Sequence, residues 1–221
     1  MEKRKNILDI LFSVLLFGGL WGLLEATLGT FLHLPIVDGA GMYACSTTIM
    51  VPIAFSLMGM CYKKTGNFRT SFYMGILAAS VKALVCAIFH LAFNPVYYIL
   101  MESLVGGVAL LIFRPKELLS FKGLGTFIFA NTAYLLASTF LRINVMTSTP
   151  TMLMDNIEKY VFKFNCVAIL YVFAIGAILY GIKVLAIKHE WKFEGIKKVI
   201  YSPITAGVVT AAMIAVTFIL R

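Results

Sequence analysis

The sequence predicts an all-α protein, a polytopic transmembrane helical bundle with a six-helix core and one further C-terminal span. Three observations carry that prediction. Of 221 residues, 61% are hydrophobic and only 13% charged, with a mean hydropathy of +0.92, whereas a soluble domain carries about a quarter charged residues. The apolar residues gather into seven stretches, and at roughly 20 residues per crossing the length has room for six or seven helices in one compact unit. Lys and Arg, finally, collect in alternate connections between those stretches.

The first stretch, residues 7–32, follows Lys3, Arg4 and Lys5 and has no Ala-x-Ala cleavage site, so it reads as an uncleaved first helix. The second covers 43–61, and Lys63, Lys64 and Arg69 join it to the third, 71–93. The fourth, 96–113, is short for a span; Arg114, Lys116 and Lys122 lead from it to the fifth, 124–141. The sixth covers 160–183, and Lys183, Lys188, Lys192, Lys197 and Lys198 precede a short seventh, 202–220. The intervening connections are poor in basic residues: 33–42 and 94–95 have none, and 142–159 holds only Arg142 and Lys159. Every basic connection thus falls on one side, which places the N-terminus in the cytoplasm and the C-terminus outside. The chain divides into a membrane core over 1–183, a linker over 184–201 and the last span over 202–221. In the linker, Trp191, Phe193, Ile196 and Ile200 suit either a helix lying on the inner leaflet or a solvated joint.

A net charge of +9 would suggest nucleic acid in a soluble protein; here the topology of the loops and anionic lipid account for it, and no nucleic-acid partner is expected. Cys45, Cys61, Cys86 and Cys166 form no CxxC, which removes a thiol-redox motif or zinc ribbon. No P-loop, Gly-x-Ser-x-Gly, HxxxH or HExxH occurs, so neither catalytic residues nor metal ligands nor a cofactor are assigned, and the chain is not expected to be an enzyme. His33, His90, Cys45 and outer methionines such as Met42 and Met101 keep copper or haem iron open as an alternative cargo.

Ionisable groups inside a span cost several kcal/mol unless paired or hydrated, and few are present. Glu25 lies deep in the first helix, Lys82 mid-way along the third, His90 near its outer end, and Glu102 in the fourth. Lys82, Cys86, His90 and Asn94 recur every four residues, predicting one polar stripe that climbs outward. Asn131, Ser138 and Arg142 make a second on the fifth helix, and Asn165 enters the sixth at similar depth. Nearly all intramembrane polar groups therefore fall in the outer half, which points to an outward-opening pocket rather than a channel. Since helical side chains lean toward their own N-terminus, Glu25 is expected to lean toward Lys82, as a functional or a structural ion pair. The ridge Gly18, Gly22 and Ala26 suits close packing within the bundle or against a second membrane protein, with Gly106 and Gly107 as a partner groove. The connection 143–156, with Thr147, Ser148, Thr149 and Pro150, reads as a lid over the mouth or a plain external loop.

This pattern resembles the substrate-binding S components of energy-coupling factor transporters of bacterial and archaeal cell membranes, which are small, very hydrophobic bundles of six helices. The resemblance covers about residues 1–183; the seventh span departs from it. It implies a subunit that binds a vitamin-like micronutrient from outside and is driven by a transmembrane coupling protein and two ATPases. Glu25, Lys82, His90, Asn94, Glu102, Asn131, Arg142 and Asn165 would line the pocket by position, and Gly18, Gly22 and Ala26 would meet the coupling protein. The competing readings are a proton-coupled secondary transporter using Glu25, Glu102 and His90, and a haem- or metal-handling protein or small intramembrane enzyme.

Overall fold

The computed structural model describes residues 7–29, 43–117 and 120–141, and the single positions 166 and 170. Those residues form five helices and no strand: α1 (Ile7–Leu24, ending in a π-helical turn, Glu25–Gly29), α2 (Tyr43–Thr65), α3 (Arg69–Ile88), α4 (Asn94–Phe113) and α5 (Phe121–Leu141). Among the described residues three runs are long and apolar enough to cross a membrane: Ile7–Gly29, Arg69–Ile88 and Asn94–Phe113. Apart from positions 166 and 170, the expected sixth span lies outside the described residues, as do the seventh span, the 184–201 linker and the 143–156 connection.

Short joints reverse the chain between α2 and α3 and between α3 and α4. After α2, Gly66 takes φ +69°, a conformation open to glycine, and its N–H donates to the Tyr62 carbonyl at 2.7 Å. Asn67 Oδ1 then accepts from the Arg69 N–H at 3.0 Å and starts α3. Pro95 occupies the first turn of α4, where a missing N–H costs nothing. Arg114 closes α4 in the left-handed region.

The third helix corrects its expected extent. It stops at Ile88 instead of running to residue 93, because His90 adopts φ +52° and the Leu91 N–H turns back to the Cys86 carbonyl at 2.8 Å. That six-to-one bond is a Schellman cap, with histidine where glycine or asparagine is usual.

Small residues set how closely the helices cross. α3 packs on α1 and α4, α4 on α5, and α2 bridges α1, α4 and α5. A Cβ on Gly18 would stand 3.0 Å from Met74 Cα, and Ala26 packs with Val81 and Val85. A Cβ on Gly75 would overlap the Ser103 side chain, and one on Gly106 would come within 2.6 Å of Met58 Sδ. Gly18 and Ala26 of the Gly18–Gly22–Ala26 ridge thus pack on α3, and Gly22 is buried as well. The resulting core includes Trp21, Met58, Met74, Ile99 and Leu135, and Phe55 meets Phe127 edge-on at 6.2 Å between ring centroids.

Candidate functional site

Four helices carry buried polar groups to one interior region. Lys82, thirteen residues along α3 from Arg69, Glu102, eleven before the end of α4, and Tyr134, thirteen along α5, each lie about 17–20 Å from the basic end of the bundle. Glu25 joins them from the π-helical turn of α1. Glu25, Lys82, Glu102 and Asn131 are all at least nine-tenths buried, Lys82 to 2% exposure and Glu102 to 4%.

The π-helical turn shapes the α1 side of the site. A π-turn widens the helix and loosens its carbonyl ladder, and such turns recur at functional positions. Here the Glu25 backbone carbonyl accepts a 2.9 Å hydrogen bond from Lys82 Nζ. The Lys82 charge also acts on the Glu25 carboxyl group. One oxygen, Oε1, lies 3.4 Å from the Trp21 indole N–H, a long and weak bond. The other lies over Gly29, where an added Cβ would stand 2.9 Å from Oε2. The carboxyl therefore lies between Trp21, four residues earlier, and Gly29, four residues later, where the Lys82 charge acts on it. A wider turn and the bare Gly29 give it that place.

Glu102 faces this arrangement from α4. Tyr134 of α5 hydrogen-bonds its carboxyl group, and Glu25 is near enough for the two acidic groups to interact. Its Oε2 is buried and has no hydrogen-bond partner among the described residues. A buried acceptor left unpaired costs about 1–3 kcal/mol, more when charged. The core elsewhere avoids that penalty: Ser13, Thr65, Thr70 and Thr126 each give their hydroxyl to a carbonyl three or four residues back. These hydroxyls, nearer the basic end, qualify the expectation that nearly all intramembrane polar groups lie in the outer half. They are neutral and locally satisfied, whereas the buried charges sit deeper. Ser71 Oγ, at the α3–α4 crossing, is the other unpaired atom among the described residues.

The expected stripe on α3 is divided by the cap at His90. Lys82 and Cys86 are buried, whereas His90, in the connection to α4, and Asn94, the first residue of α4, are exposed and do not join the site. A spacing of four aligns residues only while the helix continues. Arg142 and Asn165 lie outside the described residues. Trp21 and Tyr134 are site residues that the reading of ionisable positions missed. Tyr134 carries a usable signal, lying three residues beyond Asn131 and four before Ser138, on the same face. Ser138 itself is spent on the Leu135 carbonyl at 3.1 Å.

Chemically the region offers two carboxyl groups, one ammonium, a phenol and a primary amide in an apolar bundle. Among the described residues no three His, Cys, Asp or Glu side chains come together as a metal site. No known family model, characterised protein or solved structure matches the chain.

Proposed function

We propose that the protein is the substrate-binding subunit of a membrane uptake system, holding a small micronutrient at an interior site that opens to the outer face. A transmembrane coupling protein and ATPase subunits would energise passage, since the chain carries no nucleotide-binding motif of its own. One observation carries the reading: Glu102 Oε2 is a buried acceptor with no hydrogen-bond partner among the described residues, on a carboxyl group near enough to interact with Glu25, the residue that Lys82 engages. A bundle that merely needed gluing would satisfy its charges completely, because each unpaired one is a net loss; a site for a ligand leaves an acceptor for the ligand to fill. The basic connections at Lys63, Lys64, Arg69, Arg114, Lys116 and Lys122 support seven spans with the N-terminus inside, in a bacterial or archaeal cell membrane.

The adjacency of Glu25 and Glu102 favours a second reading, a secondary transporter that moves protons on these acids. Reconstitution separates the two. The purified chain alone in liposomes should bind its substrate yet show no net flux under a pH gradient, and should transport only when partner subunits and ATP are supplied. Gradient-driven uptake by the chain alone would contradict the subunit reading and establish the second.

A further inference from the structure

Resting on the proposed binding role, we infer that the ligand carries a positive charge with N–H donors, a protonated amine, and that Glu102 Oε2 is the atom that receives it. The argument begins with charge. Among the described residues the site holds two carboxyl groups, Glu25 and Glu102, and one cation, Lys82. The Lys82 ammonium is directed at α1: its Nζ donates to the Glu25 carbonyl and its charge acts on the Glu25 carboxyl. Among the described residues no cation acts on Glu102 in the same way. Its phenolic neighbour Tyr134 supplies one hydrogen bond, and Glu25 brings a second acidic group rather than a counter-charge. An anionic ligand would add like charge to this region, which is costly at low dielectric.

The kind of cation follows from the donor set. A metal ion takes four or more oxygen, nitrogen or sulfur ligands, and no such grouping of His, Cys, Asp and Glu exists among the described residues. A protonated amine needs less: one N–H directed at Oε2 gives a charge-assisted hydrogen bond, about twice as strong as a neutral one. Trp21, fully buried on α1, and Tyr134 add aromatic surfaces of the type that favours cationic nitrogen. The other unpaired buried atom among the described residues, Ser71 Oγ, lies eleven residues before Lys82 on α3 and serves as a comparison.

The test is thermal unfolding of the full-length protein in detergent, read with a thiol-reactive dye that reports exposure of the buried Cys61 and Cys86. Methylammonium chloride is the probe; tetramethylammonium chloride, sodium chloride and sodium acetate at equal ionic strength are the comparisons. Methylammonium should raise the midpoint saturably, by several degrees, while tetramethylammonium, which has no N–H, and sodium should not. E102Q should lose the response, S71A should keep it, and Y134F, which removes the bond that positions Glu102, should raise the half-saturating concentration severalfold. A wild-type response to sodium equal to that of methylammonium, no response to methylammonium, or an unchanged response in E102Q would overturn the amine assignment. An acetate response lost in K82M would also overturn it while leaving a substrate-binding role intact. If neither amine nor acetate shifts the midpoint and partner-driven transport is also absent, the binding role falls with it.

Discussion

Lys82→Met is the substitution whose consequence the structure fixes most closely. Methionine preserves most of the side chain's length and apolar stem, so the change removes the ammonium and little packing. Two groups lose an interaction: the Glu25 carbonyl, which accepts from Nζ at 2.9 Å, and the Glu25 carboxyl, on which the Lys82 charge acts. A hydrogen bond involving a charged group contributes about 1.5–3 kcal/mol, and breaking a buried charged pair by removing one partner costs about 3–5 kcal/mol in total. At 2% exposure no water takes over for Lys82, so about 3–5 kcal/mol is expected. In E25Q/K82M the uncompensated charge is gone and only the lost hydrogen bond to the carbonyl remains, at about 1–3 kcal/mol. The double variant should therefore be about 2 kcal/mol more stable than K82M alone. Reversible unfolding in mixed micelles with increasing denaturing detergent measures all four members of the cycle. A K82M loss below about 0.5 kcal/mol, the usual size of a surface substitution, would refute the reasoning.

Gly75→Ala places a methyl group into the Ser103 side chain and should cost about 1–3 kcal/mol by overpacking; adding Ser103→Gly should recover most of it, and equal instability of the single and double variants in the same assay would remove this crossing from the account. Ser71→Ala deletes an unpaired buried hydroxyl and should leave stability unchanged or slightly raised; a loss above about 1 kcal/mol would mean the hydroxyl is satisfied in the membrane. For topology, single cysteines at Lys64, Lys116 and Asn94 in a background without native cysteines should react differently with an impermeant maleimide in intact cells. Position 94 should label, while 64 and 116 should label only after the membrane is opened; labelling at 64 in intact cells would invert the arrangement.

The positions of the helices were legible because apolar runs and basic joints leave few alternatives: the stretches beginning at 7, 43, 71, 96 and 124 lie within three residues of the starts of α1 to α5. Their ends were less legible. Phe89, Leu91, Ala92 and Phe93 continue the hydrophobic run past Ile88, and nothing in a histidine announces the left-handed turn at His90; Pro95 was the available sign that the helix stops before it. The same break separates His90 and Asn94 from Lys82. Within the site, Glu25, Lys82, Glu102 and Asn131 stood out because polar groups are scarce in an apolar chain. Tyr134 did not, since tyrosine is ordinary there and only its register with Asn131 marks it. The π-helical turn and the Glu25 carbonyl that it presents to Lys82 leave no side-chain signature, and the role of Gly29 depends on where a carboxyl oxygen falls. The small-residue ridge was readable as a ridge, but which helix covers it depends on the whole bundle.

The claim that Glu25, Lys82 and Glu102 form a ligand site is tested most directly by what the protein carries through purification. Small molecules released from equal amounts of wild-type, E25Q, E102Q and S71A protein can be identified and quantified by mass spectrometry. Wild type and S71A should release the same amine-bearing compound at near one per chain. E25Q and E102Q, folded to the same yield, should bind it at least about tenfold more weakly, a loss of about 1.4 kcal/mol, and release correspondingly little. The same complement of molecules from all four proteins would contradict the account and leave the buried charges as scaffold.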